Sequence, residues 1–275
     1  MSEDATGGTG FSSDDDPHDQ TVRRSFGEQT SLFSGGDAVF AAAPAAPPPP
    51  WLGPLHRDMI VLDVACGAGH LAEQVAPHVR QVVGLDLTGT LLTLAADRLR
   101  AAGLGNVLLQ EGNAARLPFL DGSFDLVMCR AALHHFPEPG TQVAQMARVC
   151  RPGGTVAISD LVAPAGELRG PFDALHRVID PSHAAALLPA ELAELARAEL
   201  GPLAAEPSSH TGTIPLDRIL TPVADRAAVV ARLLAEVSGG TPTGFNPTLR
   251  DGELQVSFTT TMLRAVRRVA GVPAA

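Results

Sequence analysis

The stretch Val61-Leu62-Asp63-Val64-Ala65-Cys66-Gly67-Ala68-Gly69-His70-Leu71-Ala72 constrains the fold of this chain more than any other. Apolar residues around one acid read as a buried strand, the glycines as a tight turn, and His70-Leu71-Ala72 as the start of a helix. Reversing from strand into helix over so few residues needs backbone conformations that a Cβ opposes, and Gly67 and Gly69 supply them. Bare backbone also lets a ligand lie against a helix N-terminus, where free N–H groups carry partial positive charge. The pattern predicts a nucleoside-cofactor site and leaves the cofactor open.

Two features narrow the choice. Gly67-x-Gly69-x-x-Ala72 satisfies the dinucleotide fingerprint, a weak signal when it stands alone. A pyrophosphate loop avoids a carboxylate at the strand end because its ligand is anionic, yet Asp63 stands there, four positions before Gly67. An acid at that point suits an ammonium or a sulfonium. A second apolar strand, Val82-Val83-Gly84-Leu85-Asp86, ends in another acid nineteen positions after Gly67, the reach needed to grip ribose hydroxyls from a neighbouring strand. Asp-x-x-x-Gly-x-Gly together with that acid resembles the class I S-adenosylmethionine-dependent methyltransferases. A nicotinamide-dependent oxidoreductase is the rival that Asp63 disfavours.

The bulk properties exclude other classes. The chain has 275 residues and 45% hydrophobic residues, enough for one large domain with a sizeable core. A formal charge of −10 and a pI near 5.3 argue against a nucleic-acid substrate, whose phosphates need Lys and Arg. No apolar run reaches the length of a membrane span, and the N-terminus is acidic rather than signal-like. Cys66, Cys129 and Cys150 show no paired spacing and lie in apolar contexts, which predicts reduced, buried thiols and a cytoplasmic protein. No His or Cys spacing indicates a metal site.

Residues 1–21 are rich in Ser, Gly and Asp and are expected to be an unstructured acidic tail. Residues 22–50 regain apolar residues and end in a Pro/Ala connector. From 51 onward apolar strands alternate with helical patterns: strands at 60–64, 81–86, 107–110, 124–129 and 155–160, with helices between them. That alternation predicts an α/β, Rossmann-like, doubly wound sheet, with ligands beyond the carboxyl ends of its strands. A half-buried last strand is read from Leu254, Val256 and Phe258 alternating with Gln255 and Ser257. It matches the antiparallel edge strand of the resembled sheet. Helices are expected at 189–200 and 224–237, whereas 160–183 has no regular pattern. Segments near 161–190 and 214–250 are read as lid insertions that complete a helical lid.

The resemblance is to the small-molecule branch typified by ubiquinone and menaquinone biosynthesis (methyltransferase type 11), strongest over 61–160. It implies S-adenosylmethionine as cofactor, with contacts from Phe33, Asp63, Ala65, Cys66, Gly67, Gly69, Asp86, Leu87, Asn113, Ala114, Arg130 and Ala131. Phe33 stands where the family usually places a Tyr at the end of a cofactor-covering segment. Asn113 replaces the acid that accepts from the adenine amine, although an amide oxygen still accepts. Arg130, in Cys129-Arg130-Ala131-Ala132-Leu133-His134-His135-Phe136, would lie against the methionine carboxylate. Because the cofactor is already activated, holding nucleophile and methyl in line supplies most of the rate. His134 and His183 are the candidate bases for an acceptor proton, each weighed against a plain polar or packing role. The implied reaction is methyl transfer to a small-molecule acceptor; the alternative is a cofactor-binding protein repurposed for scaffold or cyclase-like work.

Overall fold

The computed structural model describes residues 16–33 and 47–267, with the side chains of Ser31 and Phe33 outside that description. Among the described residues eight strands form one sheet: β1 (Ile60–Val64), β2 (Gln81–Asp86), β3 (Val107–Glu111), β4 (Phe124–Arg130), β5 (Cys150–Val162), β6 (Ser208–Pro215), β7 (Thr248–Arg250) and β8 (Glu253–Val266). Their order is β3-β2-β1-β4-β5-β8-β6, with β7 also paired to β8. β1 to β5 are mutually parallel. β8 runs against β5 and against β6. The reversed strand is therefore interior, and β6 rather than β8 lies at the edge. The fold is Rossmann-like and mostly parallel, as read from the alternation of elements.

The helices are α1 (Pro17–Glu28), α2 (Thr30–Phe33), α3 (His70–Val75), α4 (Gly89–Ala101), α5 (Pro139–Val149), α6 (Gly166–Ile179), α7 (Pro189–Leu200) and α8 (Arg226–Val237). Central strands are covered on both faces, so neighbouring apolar residues serve opposite layers. Leu62 and Val64 of β1, with Val127 and Ile158, meet Val143 and Met146 of α5 and Leu192 of α7. Val61, one position before Leu62 and so on the opposite side of the strand, joins Val82 and Met128 against Leu71 and Val75 of α3 on the other face. A third cluster joins Phe172 and Leu175 of α6, Val229 and Leu233 of α8, and Phe245. No helix among the described residues is long and apolar enough to cross a membrane. Cys66, Cys129 and Cys150 are free and buried.

Two helices also differ from the sequence reading. α6 fills the stretch without a regular pattern, because Gly166, Gly170 and Pro171 obscure an apolar face made by Phe172, Leu175 and Ile179. α1 begins at Pro17, inside the segment expected to be unstructured. The Asp16 carboxylate caps the helix by accepting from the His18 amide at 2.9 Å, and Pro17 suits its first turn. Residues 1–15 and 34–46, the latter holding part of the covering segment and the first residues of the connector, lie outside the described residues.

Candidate active site

The carboxyl ends of β3, β2, β1 and β4 open in that spatial order onto one cavity of about 470 Å³, a volume in the range of small-molecule sites. Of the residues expected at the cofactor, Asp63, Ala65, Cys66, Gly67, Asp86, Leu87, Asn113, Ala114, Arg130 and Ala131 all line it. Ala65, Gly67 and Gly69 have positive φ of 55°, 53° and 76°. These conformations swing the loop out from under the strand and turn it into α3.

The two glycines have different jobs. A Cβ on Gly67 would meet nothing within 4 Å, so the space above it is cavity and not packing. A Cβ on Gly69 would stand 3.1 Å from the Ala95 Cβ of α4. Gly69 does not line the cavity; it lets α4 approach the loop.

The acids behave as a pair with unequal partners. Asp86 accepts from the Gly67 amide through Oδ2 and from the Thr88 amide through Oδ1, each at 2.8 Å. Burial raises its carboxyl while those amides oppose the rise. Each oxygen keeps a second lone pair for a ligand hydroxyl. Asp63 is only 2% exposed, and its Oδ2 has no hydrogen-bond partner. Burial pushes its carboxyl up to about 7, against the pull of the Arg130 guanidinium and with a further push from Asp86. A buried acceptor without a donor is costly, and a cationic ligand group is what would relieve it. Arg130 is itself buried, which lowers its pKa, while Asp63 works the other way.

Further along, Asp160 near the end of β5 accepts from the Ala132 and Leu133 amides through Oδ2, at 2.8 and 2.6 Å. Its Oδ1 lies 2.6 Å from His134 Nδ1. Burial would raise Asp160, but His134 and the two amides outweigh it and hold the carboxyl below its usual range. An ionised carboxylate only accepts, so His134 Nδ1 carries the hydrogen and a neutral ring keeps Nε2 bare. His134 lines the cavity. Asp160 is a site residue that the motif reading passed over, although its position at a strand end marks it.

His183 is placed elsewhere. Its Nε2 is 2.7 Å from Asp173 Oδ1, and its side chain is fully buried and does not line the cavity. The ring stacks on His176, with centroids 4.1 Å apart and planes 3° from parallel, and it is His176 that reaches the cavity wall. Burial, then His183 and His134, hold His176 well below the usual imidazole pKa. Burial and the neighbouring His134 push His135 down to about 3. His176 had no signal in the sequence because its helix had none.

The cover comes from α1. Arg23 donates to Glu111 Oε1 at 2.8 Å and to the Leu87 carbonyl, and His18 Nε2 donates to the His135 carbonyl at 2.6 Å. Ser25 and Gln29 donate to Asp180 Oδ1 at 3.1 and 3.2 Å, which ties α1 to the loop after α6. Val22, Phe26 and Gln29 line the cavity. Phe33 ends α2, and its expected contact lies outside the described side chains.

This fold is the doubly wound, mostly parallel α/β class, with a crevice beyond the carboxyl ends of its strands. Residues 62–158 match the family described as methyltransferase domain. An uncharacterized methyltransferase, YcgJ of Bacillus subtilis, is 39% identical over 129 residues, 46% of this chain and 50% of that protein. The demethylmenaquinone methyltransferase of Geobacillus kaustophilus is 40% identical over 107 residues, 38% of this chain and 45% of that protein. The chain thus spans about half the length of these relatives. The crystal structure of Bacillus subtilis YcgJ superposes with a TM-score of 0.70 at 26% identity, covering 78% of this chain and 94% of the other.

Proposed function

We propose that this chain transfers a methyl group from S-adenosylmethionine to a small-molecule acceptor. One observation carries the reading: the unpartnered Asp63 Oδ2 beside Arg130, next to bare Gly67 backbone, in one cavity with Asp86. The methyl arrives already activated on a sulfonium, so the chain has to bind, orient and exclude water. Asp63 takes the ammonium of the amino-acid end and Arg130 its carboxylate. Asp86 takes the ribose hydroxyls. In this reading the acceptor lies on the β5 and β8 side, where Leu161, Ile179, Ile214 and Phe258 make an apolar wall with Thr260. Such a wall favours an acceptor with an apolar body. His134, oriented by Asp160, accepts the proton of an acceptor hydroxyl or enol at Nε2.

Calorimetry with S-adenosylhomocysteine tests the binding, and radiolabelled methyl transfer to a panel of apolar phenols and enols tests turnover. Binding with no transfer to any acceptor would favour the repurposed-protein alternative. Failure to bind would remove the reading altogether.

A further inference from the structure

The outer end of the crevice holds a polar pair drawn from two distant parts of the chain. Asn113 lies just past β3, and its Oδ1 accepts the Ala115 amide at 2.7 Å. Its Nδ2 donates to Asp19 Oδ2 at 2.6 Å, across 94 positions of sequence. An amide N–H needs an oxygen and a carboxylate needs a donor, so both neighbours demand the same orientation of the Asn113 amide. Asp19 belongs to the first turn of α1, and both residues line the cavity. The wall there offers a carboxylate acceptor beside an amide NH₂ that has a second hydrogen to give.

A purine edge is a matching pair or its opposite. Adenine carries the N6 amine, a donor, next to N1, an acceptor. Hypoxanthine carries O6, an acceptor, next to N1–H, a donor. A carboxylate and an NH₂ side by side complement the first and oppose the second. The oxygen of Asn113 already accepts the Ala115 amide, and the Asp19 carboxylate beside it is the charged, stronger acceptor for the adenine amine.

We propose that Asp19 and Asn113 together read the base of the bound nucleoside, Asp19 accepting from the exocyclic amine and Asn113 donating to N1. Base selection then depends on α1 being docked, since Asp19 arrives with that helix. The inference rests on the cofactor reading above and goes beyond it by assigning the base contact to a helix outside the matched domain segment.

The test is calorimetric titration of S-adenosylhomocysteine and S-inosylhomocysteine into the full chain. Wild type is expected to favour the adenosyl compound by roughly ten- to a hundredfold. Asp19→Asn, whose amide can turn its NH₂ toward O6, should cut that ratio to about threefold or invert it. Asn113→Asp sets two carboxylates together and should weaken both compounds. The combined D19N/N113D protein sets the amide opposite the exocyclic group and the carboxylate opposite N1, and should therefore favour the inosyl compound; a retained adenosyl preference in it would overturn the assignment. An Asp19→Asn protein that loses affinity for both compounds by the same factor would mean that the pair only tethers α1, and the proposal would fall. Equal wild-type affinities for the two compounds overturn it without any variant. Wild type binding neither compound defeats the cofactor reading itself, a result distinct from an unchanged ratio.

Discussion

At the residue scale, the chemistry rests on how burial and hydrogen bonding divide the acids. Asp160 has every oxygen engaged and sits low; Asp63 has an empty oxygen and is pushed up to about 7. A ligand ammonium favours the ionised form of Asp63, so binding lowers its pKa and releases a proton from a protonated site. Affinity for S-adenosylhomocysteine is therefore full above about pH 7 and falls by about tenfold per pH unit below it. Asp63→Asn should bind weakly and flatten that profile, which calorimetry in matched buffers reads directly. His134→Asn is expected to lower kcat by roughly 10²–10⁴-fold while leaving cofactor affinity within about threefold. Asp160→Asn should lower kcat too, because it offers Nδ1 a partner that no longer fixes the tautomer. The glycines separate by readout. Gly67→Ala and Gly69→Ala each place a Cβ at positive φ and cost about 1–2 kcal/mol. Only Gly67→Ala puts a methyl into the ligand's space, so it alone should cut affinity by at least about tenfold. Thermal melts alongside titrations resolve the two effects. The paired glycines are legible in sequence, but their division of labour is not, because it depends on where α4 passes.

At the element scale, α1 is the piece whose docking matters most. Asp180 Oδ1 accepts from Ser25, Gln29 and both the amide and hydroxyl of Ser182. Asp180→Ala would strand these buried donors at about 1–3 kcal/mol for each group left unsatisfied. Hydrogen exchange of the α1 amides should then accelerate by at least about tenfold, whereas Asp180→Asn, which keeps an acceptor, should change it far less. Unchanged exchange in the Ala variant would mean that α1 is held by its other contacts. Legibility varied from element to element for physical reasons. α4 was plain because Leu91, Leu92, Ala95 and Leu99 repeat on one face and all are buried. β6 was missed because its Ser, Thr and Gly residues lie at the sheet edge, where pairing comes from backbone and a Thr211–Thr259 contact rather than from an apolar run. His183 looked like a base beside His134, but packing turned it to Asp173 and left His176 at the wall.

At the scale of the whole molecule, the sheet order aligns the proposed chemistry along one axis: base over β3, ribose over β2, amino acid over β1 and β4, acceptor over β5 and β8. Rigidity of the central strands holds that axis. Ile158 of β5 is fully buried between β4 and β8. Ile158→Ala should cost about 2–5 kcal/mol, visible in a denaturation midpoint, with cofactor affinity little altered below the transition. What the sequence determined alone is the part written in local terms. Apolar strands ending in acids, a glycine turn and helical periodicity need only neighbours along the chain, and they specify the parallel core and the crevice beyond its strand ends. The tertiary structure decided what depends on residues far apart: that β8 slots inside β6, that Asp160 orients His134, and that Asp19 reaches Asn113. Those contacts are set by how layers pack and which side chain reaches the cavity first, and no local pattern encodes a distance between strangers in sequence.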